Sequence, residues 1–302
     1  MGARTLLKRG TSACLLFLAI SLLVASIAAE EPSDTKKLLF LTHAGLYKHA
    51  SLGSAEAAVT ELGENGGFEV TTLEGYKQSS DDLDLSMITA EYLAQFDGLM
   101  MMTNGNLPLD DAQKRAVVDF VREGKGFIGV HCASLTFYDF PEFGEMLGGY
   151  FQRPVRQNRI FVLKVEDPNH PATRMLGTSW PVADEFYRFG AAAWTADRPE
   201  ENVDALFGNH IPVGFSRDRV RVLISIDTAR SDLDGLEGMT KGGDYPQAWC
   251  RTYGTGRSFY TALGHRPDIW SNDPVFRAHI LGGIRWALGL EEGDATPKGA
   301  KR

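Results

Sequence analysis

Cysteine is scarce in this chain. It has three in 302 residues, at Cys14, Cys132 and Cys250. Two widely spaced thiols beyond the N-terminal region make no disulfide framework, and the sequence holds no Cys-x-x-Cys pair of the structural zinc type. A His-Glu-x-x-His run is also missing, which excludes the helix-borne zinc site of metalloproteases. Basic clusters are absent. Lysine and arginine number 31 against 39 acids, for a formal charge of −8, and an acidic chain of this kind argues against nucleic acid as a partner. The mostly apolar run Ala13–Ala25 spans only 13 residues, short of the about 20 that a membrane-spanning helix needs. Internal repeats and an interdomain linker are lacking too.

The N-terminus has the order of a secretory signal. Arg4, Lys8 and Arg9 precede the apolar run, small residues follow at Ser26, Ala28 and Ala29, and the acids Glu30 and Glu31 come next. Residues 1–29 are therefore expected to be a signal peptide, cleaved near Ala28 or Ala29. An exported protein, periplasmic or extracellular, would result, without stable membrane insertion after cleavage.

The rest of the chain alternates strand and helix patterns. Lys37–Thr42 and Phe96–Thr103 are short continuous apolar runs, as in strands buried on both faces, and Phe68–Leu73 and Gly126–Val130 are further strands. Ser51–Glu64 and Asp110–Arg122 read as helices, the second with Asp110 as N-cap. Pro274–Leu288, introduced by Asp273, is the closing helix. This alternation predicts an α/β fold, a mostly parallel sheet flanked by helices. Arg159–Val165, Ala183–Phe189, Ala205–Gly208 and Val222–Asp227 are expected as further strands, and Tyr245–Thr252 with Arg257–Leu263 as a hairpin turning at Tyr253–Gly256. One domain over residues 37–289 is expected, with residues 290–302 a flexible, frayed tail.

Ligands of open parallel sheets bind beyond the carboxyl ends of the strands. Four of the seven histidines, His43, His49, His131 and His265, fall at such ends, as does Asn104. The turn Gly129-Val130-His131-Cys132-Ala133 has the setting of a nucleophile elbow, with histidine at its apex. Imidazole there suits a general base or a metal ligand; capping of the following turn and a Cys132 nucleophile are the rival readings. In Asp184-Glu185-Phe186-Tyr187, alternation sends the two carboxylates to opposite faces, so one can reach a site. Trp249, Arg251 and Tyr253 share a strand face, suiting sugar stacking and hydroxyl binding, or sheet packing. His49, His131 and His265 together are candidate ligands for a divalent metal such as zinc.

Taken in order, Thr42-His43, Tyr47-Lys48-His49, Gly129–Ala133, His170-Pro171, Asp184–Tyr187, the run Pro246–Arg257 and Leu263-Gly264-His265 resemble the ThuA-like (trehalose utilisation) family over about Lys37 to Gly289. The resemblance implies a class I glutamine amidotransferase-like, flavodoxin-like three-layer sandwich. Amidotransferase chemistry is not implied, because the elbow Gly-x-Cys-x-Gly and the late His-Pro-Glu of those enzymes are both absent. It further implies carbohydrate catabolism, a small-molecule sugar substrate and a pathway link to sugar dehydrogenases, with a homo-oligomer left open. On this basis His131, Glu185, His265 and His49 are expected to be catalytic, and His43, Asn104, Trp249, Arg251 and Tyr187 to bind substrate. The alternatives are a non-catalytic sugar-binding module and a Cys132-dependent hydrolase.

Overall fold

The structure is a computed structural model and describes residues 1–2, 35–155, 159–190 and 213–299. The expected signal peptide (but for its first two residues) and the strand expected at Ala205–Gly208 lie outside the described residues. In chain order the elements are β1 (Lys36–Thr42), α1 (Leu52–Gly66), β2 (Phe68–Leu73), α2 (Ala90–Leu93), β3 (Gly98–Met102), β4 (Asn104–Gly105), α3 (Asp111–Arg122), β5 (Gly126–Val130), β6 (Leu135–Thr136), α4 (Pro141–Leu147), β7 (Phe151–Val155), β8 (Ile160–Val165), β9 (Ser179–Ala183), β10 (Phe186–Phe189), β11 (Arg221–Ile226), β12 (Pro246–Tyr253), β13 (Gly256–Thr261), α5 (Pro267–Asn272) and α6 (Pro274–Ala287).

Nine strands form one sheet in the order β2-β1-β3-β5-β13-β12-β11-β8-β9. The half from β2 to β13 is parallel. From β13 to β9 every pairing is antiparallel, so the sheet expected to be mostly parallel is mixed. Burial follows this division. β3 and β5 are buried at every residue, as continuous apolar strands covered on both faces must be. β8 instead alternates between buried and more exposed positions, with one face toward solvent.

Helices cover both faces of β5. A Cβ on Gly126 would lie 2.5 Å from the Ala287 carbonyl of α6, and one on Gly129 2.7 Å from Leu147 of α4. The two glycines stand three apart in one strand and so look to opposite faces. They let a helix approach on each side, and the result is a three-layer α/β sandwich. Local chemistry sets the helix starts. Asp110 and Gln113 form a reciprocal capping box at α3, and the Asp273 carboxylate accepts from Val275 and Phe276 N–H ahead of Pro274 in α6.

One expectation is corrected. The strand expected over Ala183–Phe189 is broken at Asp184–Glu185, where the chain leaves the main sheet as β9 and enters a two-stranded sheet as β10, paired with β7. After α6 the chain keeps contacts with the domain as far as Thr296. Trp286 donates to the Gly293 carbonyl, Arg221 reaches both Asp294 and the Thr296 carbonyl, and Arg257 pairs with Glu292.

Candidate metal centre

The parallel strands deliver side chains to one edge. β5 ends at Val130, and His131 opens a single 3-10 turn over His131–Ser134 with φ at 47°, in the left-handed region that few non-glycine residues occupy. The strain has visible support: Tyr260 Oη donates to the His131 carbonyl at 2.8 Å, and the Ser134 hydroxyl contacts that Tyr260 hydroxyl at 2.9 Å. The His131 side chain is fully buried but not in an apolar setting. Its Nδ1 donates to the Ala262 carbonyl at 2.7 Å, which leaves Nε2 as the outward-facing nitrogen. The Tyr187 hydroxyl lies 2.8 Å from that Nε2, and its ring stacks on the imidazole with centroids 4.5 Å apart.

Three other groups meet His131. Glu185 places Oε2 3.4 Å from His131 Nε2 and 2.9 Å from His265 Nδ1. The His49 ring lies edge-on to both, with centroids 4.7 Å from His131 and 5.2 Å from His265. One potential ligand atom from each of His49, His131, Glu185 and His265 falls within 4.8 Å of the others. Glu185 and His265 keep some exposure, so the cluster opens on their side.

Electrostatics suit a cation. Burial pushes the His49 imidazole down to about 2, with the neighbouring charges of His131 and His265 acting in the same direction, so its lone pair is available. Its Nδ1 is buried without a hydrogen-bond partner, which is costly in a native interior unless something fills the place. Burial alone would raise the Glu185 carboxyl. The neighbouring His131 and His265 outweigh it and hold the group ionised below the usual carboxylate range. For His265, burial is likewise outweighed by Glu185, and its pKa is raised. A carboxylate that draws positive charge among three imidazoles is a donor set that can hold a divalent metal.

The surrounding residues fix this geometry. Asp184, buried, accepts from Gly264 N–H at 2.7 Å and from Arg266 N–H at 3.1 Å, so it grips the backbone on both sides of His265. Its role was not singled out by the sequence, in which alternation made either carboxylate of the pair eligible. Asn104 accepts from Leu46 N–H and Tyr47 N–H and donates to the Tyr47 carbonyl, clamping the loop that carries His49. A Cβ on Gly45 would sit 2.8 Å from the Asn104 carbonyl, which explains the glycine at this crossing.

Several expected substrate contacts are placed otherwise. His43 is buried, with its ring nitrogens 3.1 Å from the Gly75 carbonyl and 3.1 Å from the Ser80 hydroxyl, and it braces the segment after β2. Asn104 acts on the backbone of the His49 loop. Tyr187 is buried against His131. Trp249 is a core residue: its indole N–H donates to the Leu147 carbonyl and its ring packs on Tyr260 at 4.5 Å. Arg251 pairs in register with Ser258, which pairs with Phe127 near the start of β5, so it stands toward the opposite end of the strands from His131. There it donates to the Glu145 carbonyl and lies over Tyr253. Cys132 is fully buried, and burial pushes its thiol up to about 12, where it is no nucleophile at neutral pH.

Comparison with known proteins agrees with the fold. The family model ThuA, described as trehalose utilisation, matches residues 37–287. A ThuA-like protein of Bacteroides uniformis has a similar structure, with TM-score 0.62 at 19% identity over 86% of this chain and 94% of that one. One from Parabacteroides merdae aligns with TM-score 0.61 at 20% identity, over 87% and 93%. At such identities the likeness concerns the fold. No curated protein is similar to the chain in sequence. The expectation of export is withdrawn, since the segment it rests on lies outside the described residues. Two Salmonella typhimurium proteins matched at 14% and 11% identity, over 82% and 83% of this chain and 99% and 98% of theirs, each with TM-score 0.49, are called cytoplasmic. Their names describe those proteins, and no location is assigned to this one. Among the described residues, no helix is long and apolar enough to cross a membrane.

Proposed function

Because the chain belongs to the ThuA family, we propose that it processes a disaccharide, glycoside or keto-sugar at a zinc centre held by His49, His131 and His265, with Glu185 as the acid/base group. The observation that carries this reading is the convergence of those four side chains around a buried histidine nitrogen that has no partner. When bound, such a metal supplies a Lewis acid for a sugar oxygen and lowers the pKa of bound water.

The protein's own groups divide the remaining work. The Ala262 carbonyl fixes the His131 tautomer through Nδ1–H, so Nε2 presents its lone pair to the cluster. Glu185, kept ionised, takes a proton at its carboxylate. For a keto-sugar that proton comes from the carbon beside the carbonyl, whose C–H the carbonyl acidifies, and for a glycoside from an attacking water. The His265 imidazole, hydrogen-bonded to Glu185, holds that carboxylate in place. Placement in the class I glutamine amidotransferase-like superfamily is supported by the left-handed residue directly after β5, where an elbow nucleophile would stand. Histidine at that apex and the buried thiol of Cys132 argue against amidotransferase chemistry.

The test uses the full chain loaded with zinc and incubated with trehalose and with its 3-keto derivative. Release of a monosaccharide or an elimination product is expected. Glu185→Gln is expected to keep zinc and lose at least about a hundredfold in turnover, and His131→Gln to lose zinc. A folded wild-type protein that takes up no divalent metal overturns the metal-dependent reading. Sugar binding with no product would leave a binding module.

A further inference from the structure

From the loop beside the cluster we infer that Tyr47 is the platform on which the apolar face of a sugar ring stacks, so that the substrate class is a pyranoside presented edge-on to His49. This rests on the sugar-processing function proposed for the metal centre.

Large apolar side chains exposed at the surface are few among the described residues, and only Leu46 and Tyr47 are consecutive. They sit on the loop between β1 and α1, immediately before His49. The Tyr47 ring is 60% exposed, yet its centroid lies 4.8 Å from that of His49, in an edge arrangement. Exposure next to a polar cluster usually goes with a mobile side chain on a mobile loop, but this loop is pinned. Tyr47 N–H and carbonyl are both bound by the Asn104 side chain, at 3.1 and 2.8 Å, and Leu46 N–H is bound by the same amide at 2.7 Å.

Asn104 belongs to the short β4–β6 pairing and is itself buried, so the clamp is anchored in the fold. Lys48, the neighbour that could cover the ring, is turned toward Tyr76, with its Nζ 5.8 Å from that ring's centroid. The outcome is an aromatic surface held rigid, left bare, and set against a member of the metal cluster. Fixing such a ring before binding lowers the ordering cost of recognition. Its chemistry suits a ligand with one face of C–H groups and a rim of hydroxyls: the ring offers a flat apolar surface with a polar handle. A ring seated on Tyr47 would have its edge toward His49 and its oxygens toward Glu185 and His265.

The experiment titrates trehalose, sucrose and cellobiose into the zinc-loaded full chain by calorimetry, for wild type, Tyr47→Ala and Tyr47→Trp, with zinc affinity measured in parallel by chelator competition. Tyr47→Ala is expected to weaken disaccharide binding about tenfold, as loss of a stacking face should, while Tyr47→Trp stays within about threefold of wild type and zinc affinity is unchanged in both. Equal sugar affinity in wild type and Tyr47→Ala overturns the platform and leaves the metal centre standing. A wild type that binds zinc but none of the sugars removes the sugar reading and the platform together.

Discussion

At the scale of single residues, much of the site depends on groups that never face a ligand. Asp184 holds the two peptide N–H groups that bracket His265, and Gly264, the first of these donors, takes φ of 122°. Asp184→Asn places an amide N–H₂ against one of those donors. It is expected to lower zinc affinity by about tenfold to a hundredfold, the usual cost of disturbing a ligand's support. Chelator competition reads the affinity, and a melting curve shows whether the fold is intact. Cys132→Ser is expected to leave turnover within a few-fold of wild type, since burial keeps that thiol protonated. Alkylation of Cys132 in the folded protein with loss of activity would contradict this.

The histidines that converge are legible in the sequence because each follows a strand pattern, and parallel strands bring their carboxyl ends to one edge. Trp249 and Arg251 are not, for an equally physical reason. Period-two alternation puts them on one face but does not say whether that face is packed or free. In the structure the Trp249 face is packed: Phe215, at 4.9 Å, and Tyr260 share its ring.

At the scale of elements, the strands before Val130 read cleanly and the later ones less so. A buried parallel strand is a short, uniform apolar run, whereas β9 and β10 lie in one stretch of alternating sequence. Only tertiary pairing distinguishes them, with β8 for one and β7 for the other. The antiparallel half is secured where β8 ends. Glu166 accepts two bonds from Arg217, at 2.8 and 2.9 Å, and one from the Ser225 hydroxyl at 2.6 Å. Burial would raise this carboxyl, but Arg217 and Ser225 outweigh burial and lower it.

A carboxylate whose folded pKa is depressed contributes stability that is present above its unfolded value, about 4.3, and is lost as pH falls through the folded value. The melting temperature is therefore expected to decline on acidification below about pH 4. Glu166→Gln should flatten that part of the profile. At neutral pH it should melt roughly 4 °C lower, from about 1.5 kcal/mol for hydrogen bonds to a charged group and about 3 °C per kcal/mol at this chain length. A wild-type acid profile unchanged in the Gln variant, measured by calorimetry, would remove Glu166 from the account.

At the scale of the whole molecule, the candidate metal centre joins segments far apart in sequence, from the β1–α1 loop to the turn after β13. Zinc that binds only the folded state should raise its stability by about 2.7 kcal/mol at a hundredfold excess over Kd. Differential scanning with and without chelator should show the shift for wild type and not for His131→Gln. An equal shift in both would mean that zinc binds elsewhere.

The strand order carries a consequence for synthesis. β13 is the last strand in the chain, yet it lies in the middle of the sheet, between β5 and β12. A ribosome-bound chain that has completed everything through β12 still lacks the piece that joins the two halves. Until residues 256–261 emerge, β5 and β12 each present an unpaired buried edge, a template for wrong partners. Shortened chains that end before Gly256 should therefore aggregate rather than persist as folded fragments, and the nascent protein should depend on protection of those edges for as long as its final segment is being made.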